Sequence, residues 1–168
     1  MFKKFFFLFV IFLFSCQKNK VEKHSSVHIE NYKVHLNNGY FIVDLSTGKM
    51  EDTKGRLLGD LRLEAEEVKF IEKMFFENSI YEITNDVQVF DNRKIHAFKN
   101  EDLLLIEKDN ALISIIYIDK DYALKSKINK EDVGIVSFYK SIQKILKKYK
   151  NYDHQLHLKT ENDDSVNL

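Results

Sequence analysis

The sequence predicts an α+β protein: a two-layer sandwich of mostly antiparallel sheet with two amphipathic helices on one face. Three observations carry that expectation. Alternating apolar residues flank the pair Asn38-Gly39. Short apolar runs broken by Asn and Asp fill residues 80–118. Two stretches, 63–78 and 129–149, repeat apolar residues at helical spacing.

The elements follow in order. Val27, Ile29, Tyr32, Val34 and Leu36 alternate, with one phase change, as a strand. Asn38-Gly39 supplies two positive-φ positions, the requirement of a type I′ turn, and Tyr40–Leu45 returns as the second strand. Gly48, Gly55 and Gly59 punctuate a stretch that is irregular or holds a short third strand at Arg56–Leu61. Leu63–Asn78 is the first helix, with Ala65, Val68, Ile71 and Phe75 on one stripe. Its first turn gathers Glu64, Glu66 and Glu67, where the helix dipole favours anions, but no clean N-cap is visible. Val87–Phe90, Lys94–Phe98, Leu103–Glu107 and Ala111–Ile118 read as strands. The Asn- and Asp-rich turns between them predict an antiparallel meander. Asn129 caps the second helix, with Asp132 three residues on, and Ile135, Phe138, Tyr139, Ile142, Ile145, Leu146 and Tyr149 form its stripe. Residues 27–150 thus make one domain, and 151–168 a polar, frayed C-terminal tail.

Composition narrows the function classes. The 168 residues carry 26 Lys+Arg against 26 Asp+Glu, one Cys and no Trp or Pro. Balanced charge argues against nucleic acid as a partner. One cysteine excludes an internal disulfide and a Cys-rich zinc site.

The N-terminus reads as a processing segment. Lys3-Lys4 precede an apolar run from Phe5 to Phe14, about 15 Å as a helix and half of a bilayer core. Leu13-Phe14-Ser15-Cys16 resembles the lipobox of bacterial lipoproteins, with an aliphatic residue at −3 and a small one at −1 before the cysteine. The resemblance covers residues 1–16. It implies removal of 1–15 as a signal peptide and acylation of Cys16, including palmitate, which anchors the chain to the membrane. Two or three acyl chains hold a protein there firmly, where one does not. Residues 16–26 then form the acylated cysteine and a polar, flexible tether. Gln17 is not the aspartate that favours retention in the inner membrane of Gram-negative bacteria, so the resemblance points to the outer membrane. The order of elements after the tether is similar to that of small uncharacterised bacterial lipoprotein domains, a likeness of architecture that carries no catalytic residue across.

No motif of chemistry emerges. There is no Walker loop, no Gly-x-Gly-x-x-Gly, no nucleophile elbow and no His-Glu-x-x-His. His154 and His157 stand three apart but lie in the expected tail. The pairs Glu66-Glu67, Glu101-Asp102 and Glu131-Asp132 are explained by helix starts and turns. Glycosidase chemistry needs two carboxylates facing each other, not adjacent on one element. No catalytic residue, metal ligand or cofactor is therefore expected. Tyr32 and Tyr40, on the exposed side of the first hairpin, are the candidate interaction surface, because tyrosine joins an apolar body to a polar tip.

The expected function is a lipid-anchored, non-enzymatic binding or accessory module of the cell envelope, with a protein partner. A protective inhibitor or immunity protein is one version. An envelope hydrolase acting on glycan or peptide and a periplasmic small-ligand carrier are the alternatives.

Overall fold

A computed structural model describes residues 31–90, 101–125 and 127–165. The signal segment, Cys16, the tether and the expected strand Lys94–Phe98 lie outside them. Seven strands form one sheet: β1 (Tyr32–Asn37), β2 (Phe41–Asp44), β3 (Lys49–Asp52), β4 (Leu57–Asp60), β5 (Val87–Val89), β6 (Glu101–Lys108) and β7 (Ala111–Asp119). Among the described residues four α-helices accompany it: α1 (Ala65–Glu77), α2 (Lys120–Ala123), α3 (Val133–Leu146) and α4 (Lys150–Ser165). Among the described residues, no helix is long and apolar enough to cross a membrane. The α+β class and the mostly antiparallel sheet are as expected.

The sheet order is β4-β3-β2-β1-β6-β7-β5. Period-two alternation sets its buried face. Val34 and Leu36, Phe41 and Val43, Leu104 and Ile106, and Ile116 and Ile118 all point into the core. Their neighbours His35, Leu103, Leu105, Ile115 and Tyr117 stand half-buried on the opposite face. The apolar stripe of α3, from Ile135 through Phe138 and Ile142 to Leu146, closes the core together with Ile71 and Phe75 of α1. Phe75 gathers the aromatic centre, with its ring 5.4 Å from Tyr32 and 5.9 Å from Phe138. Gly134 lets α3 pass close to the end of α1, since a Cβ there would lie 3.1 Å from the Asn78 carbonyl oxygen.

Several expectations need correction. The first turn is centred on Gly39-Tyr40, and only Gly39 has positive φ. The Asn38 carboxamide oxygen instead accepts from the Tyr40 and Phe41 amides, fixing a type II′ arrangement. Positive φ at two successive residues occurs at Asp109 and Asn110, joining β6 to β7. β5 does not enter a meander. It pairs parallel to β7 at the sheet edge. There the Asp86 carboxylate accepts from the Ile115 amide, and the Ser114 hydroxyl donates to the Asn85 carbonyl. Asp132 does not serve a capping box. A 3₁₀ turn, Lys130–Asp132, precedes α3, and the Asp132 carboxylate accepts from the Tyr122 hydroxyl at 2.9 Å. Nor is the chain after residue 150 frayed at its start. It continues as α4, and Tyr152 is buried with its ring 5.6 Å from Phe41. Tyr152, with half-buried Leu156 one turn on, docks that helix on the core.

Ser79 follows α1 with φ 54° and no side-chain cap bond. A left-handed β-carbon is strained, so Ser79→Gly is expected to raise the unfolding free energy by about 0.5–1 kcal/mol. Urea denaturation measures it. A loss of stability would show that the serine side chain holds the turn.

Candidate functional site

The strand ends near Asn38, Asp102 and Asp119 meet the helix layer at one end of the sandwich. A cleft of about 490 Å³ opens there. Its floor is Asp102, 2% exposed at the start of β6. The Tyr139 hydroxyl donates to Asp102 Oδ2 at 2.6 Å and Gln143 Nε2 donates to the same oxygen at 3.1 Å. Lys120, the first residue of α2, places Nζ 3.1 Å from Oδ1. That contact has ion-pair distance without hydrogen-bond alignment, so Oδ1 has no hydrogen-bond partner among the described residues. Asn38 is also buried, and its Nδ2 lacks an acceptor among the described residues. Leu124, Tyr152 and Leu156 form an apolar wall, and Lys140, Lys144 and Lys147 ring the mouth.

Electrostatics fix the roles inside. Burial first, then the neighbouring Asp102 charge, pushes the Tyr139 hydroxyl well above the ordinary tyrosine range, so it stays a donor. Burial and Asp102 raise Tyr152 likewise. Among the lining residues Asp102 is the one carboxylate. Facing carboxylates of the kind hydrolytic acid–base pairs require are not brought together here. The described residues also hold no group of three or more His, Cys, Asp or Glu able to bind a metal ion.

A second polar cluster ties the helices. Buried Glu67 of α1 accepts from the Tyr149 hydroxyl and, at 2.8 Å, from Lys148 Nζ. Burial opposes the Glu67 charge. The Lys148 and Tyr149 bonds outweigh it and hold the carboxyl below its ordinary 4.5. A lowered folded value means the stabilisation is complete above pH 4.5 and is lost as pH falls through the folded value. Burial, then the Glu67 bond, pushes Tyr149 up to about 12. Its contribution is complete below pH 10 and lost as pH rises through about 12. Glu67→Gln is expected to flatten the acid limb and to shrink the alkaline one, where burial of Tyr149 remains, in urea unfolding followed against pH. An unchanged acid limb would remove Glu67 as its cause.

The predicted interaction residues do not share a surface. Tyr32 begins β1 and packs against the core on Phe75, with Lys108 Nζ 5.4 Å from its ring centre. Tyr40 lies in the turn at the other end, 40% exposed. About 17 Å of strand separates Tyr32 from that turn. Tyr32 instead lines a smaller groove, about 310 Å³, with Val68, Ile71 and Phe75. His157 of α4 lies 3.5 Å from Asp153, an i,i+4 pair. Cys16 falls outside the described residues.

The neighbours Asn100 and Glu101 predict a turn at Asp102. A signal for its burial was present. It stands in phase with Leu104 and Ile106, so the strand period places it on the core face. The cleft's other contributors come from separate segments and leave no local pattern.

Comparison of the chain with protein-family models, with curated proteins and with solved structures finds no match in any of the three.

Proposed function

We propose that this chain is a lipid-anchored recognition module of the bacterial cell envelope. Residues 1–15 are removed, Cys16 is acylated, and the tether to residue 26 holds the α+β domain off the membrane, with the outer membrane favoured by Gln17. The observation that supports recognition is the cleft. Its one carboxylate is engaged by Tyr139, Gln143 and Lys120, while lysines and apolar side chains surround it. Such groups hold a ligand or a partner's side chain rather than move protons. The partner is a protein, and an inhibitor or immunity role is one form of the module. A small-ligand carrier is the second reading, favoured by the cleft's volume, which lies within the roughly 300–1,000 Å³ of small-molecule sites.

Detergent phase separation tests the anchor. The wild-type chain is expected in the detergent phase and Cys16→Ala in the aqueous phase, with the precursor accumulating under globomycin. A Cys16→Ala variant that stays with detergent would overturn lipid anchoring. Crosslinking in native membranes tests recognition: one stoichiometric partner, lost with the exposed rim pair Lys144→Gln and Lys147→Gln, is the supporting result. Equal capture by that variant would remove the cleft from the interaction.

A further inference from the structure

We infer that the cleft binds an amphiphilic anion, a phosphate or carboxylate group joined to a short apolar body. This rests on the second reading above, the cleft as a small-ligand site, and is independent of the anchor. Lys140, Lys144 and Lys147 recur at i, i+4 and i+7, a line about 10 Å long on one edge of α3 and its C-terminal cap. None of the three has a carboxylate partner among the described residues. The acid they face, Asp102, already holds Lys120 at 3.1 Å. The mouth therefore carries a surplus of positive charge that no carboxylate among the described residues neutralises. A cationic ligand is repelled.

Beside the rim the chemistry changes. Leu124 is 73% exposed, an unusual position for leucine beside a charged rim, and it shares the wall with Leu156 and the Tyr152 ring. A bare inorganic anion would satisfy the lysines and leave that wall wet. At the floor, Asn38 is 4% exposed and its Nδ2 donor is unpaired among the described residues. Buried donors are nearly always satisfied; this one is closed to solvent, so a ligand oxygen pairs with it only where the floor side chains part on binding. Anionic head at the rim, apolar body on the wall and an acceptor at the floor define one ligand class.

Pulse acetylation of lysines, read by mass spectrometry, tests the site on the full chain held in phosphatidylcholine nanodiscs. Phenyl phosphate is expected to slow acetylation of Lys140, Lys144 and Lys147 while leaving exposed Lys54 and Lys69 unchanged. Inorganic phosphate is expected to protect much more weakly, and benzyltrimethylammonium not at all. Lys144→Gln with Lys147→Gln is expected to raise the half-protecting phenyl phosphate concentration about tenfold, the sum of two rim charges. Both residues are exposed, so this variant keeps the fold. Phosphatidylglycerol nanodiscs without added probe separate the sources. Protection there assigns the ligand to a membrane lipid, and protection by added phenyl phosphate alone assigns it to a free solute. Equal protection by inorganic and phenyl phosphate, or no protection of the three lysines in any arm, overturns the inference. A chain that leaves the detergent phase yet shows this protection keeps the cleft and loses the anchor.

Discussion

Asp102→Ala is expected to lower the unfolding free energy by about 3–5 kcal/mol, because it strands a buried hydroxyl, a carboxamide and an ammonium at once. The Tyr139 hydroxyl and Gln143 Nε2 both aim at Asp102 Oδ2, and the buried hydroxyl is the one cut off from bulk water. Lys120 is partly exposed and can turn outward, so its share of the cost is smaller. Asp102→Asn keeps an acceptor and is expected to cost only about 1–2 kcal/mol. The concerted change Asp102→Leu with Tyr139→Phe and Lys120→Met removes most of the orphaned polar groups and should recover most of the loss. Guanidinium unfolding of the three variants decides it. If alanine costs less than asparagine, the network is not what holds this end of the sandwich. If the apolar triple variant is stable but no longer protects its rim lysines with phenyl phosphate, the network serves the ligand rather than the fold.

Phe138→Ala should produce a loss of similar size, about 3–5 kcal/mol, by a different mechanism. Phe138 is wholly buried on α3, with its ring 5.9 Å from Phe75 of α1. Phe75 in turn touches Tyr32 and Phe76. Truncation leaves a cavity where both helices meet the sheet, and the three remaining rigid rings cannot collapse into it without leaving their rotamers. Phe70, on the exposed side of α1, is the internal control: Phe70→Ala should change stability by less than about 0.5 kcal/mol. Calorimetry of the two variants gives the comparison. Equal effects would place the core elsewhere.

Much of this architecture is legible in the residues. Strand periodicity marks β1, β6 and β7, because each buries one face and needs period two. The helical stripe marks α1 and α3, because each buries one side. Sheet order is less legible. That β5 joins β7 in parallel depends on Asp86 and Asn85 reaching β7 across the fold. Nothing local announces a partner twenty-nine positions away. The docking of α4 rests on Tyr152 with Leu156 one turn on, and two apolar residues in a polar segment raise only a faint periodic signal. The cleft was harder still. Its polar floor joins residue 38, residue 102 and the 139–152 stretch, which meet only once the sheet has closed. Asp102 alone was recoverable, from its phase with Leu104 and Ile106. Its neighbours in sequence gave a turn reading that the strand register overrules.

The pairing of β1 with β6 governs how the molecule is assembled in time. β1–β4 can zip together through tight turns, and so can β6 with β7. β1, however, meets its second neighbour more than sixty residues downstream, from Asn37 against Leu103 to Tyr32 against Lys108. Closing so large a loop is slow, and sheets joined this way fold in roughly milliseconds to seconds. Until that seam forms, β1 presents a bare edge with Val34 and Leu36 uncovered, a template for strands of other chains. A chain cut before residue 101 would keep that edge permanently. Its fate would be association with its own kind, and the full-length protein escapes it only when β6 arrives.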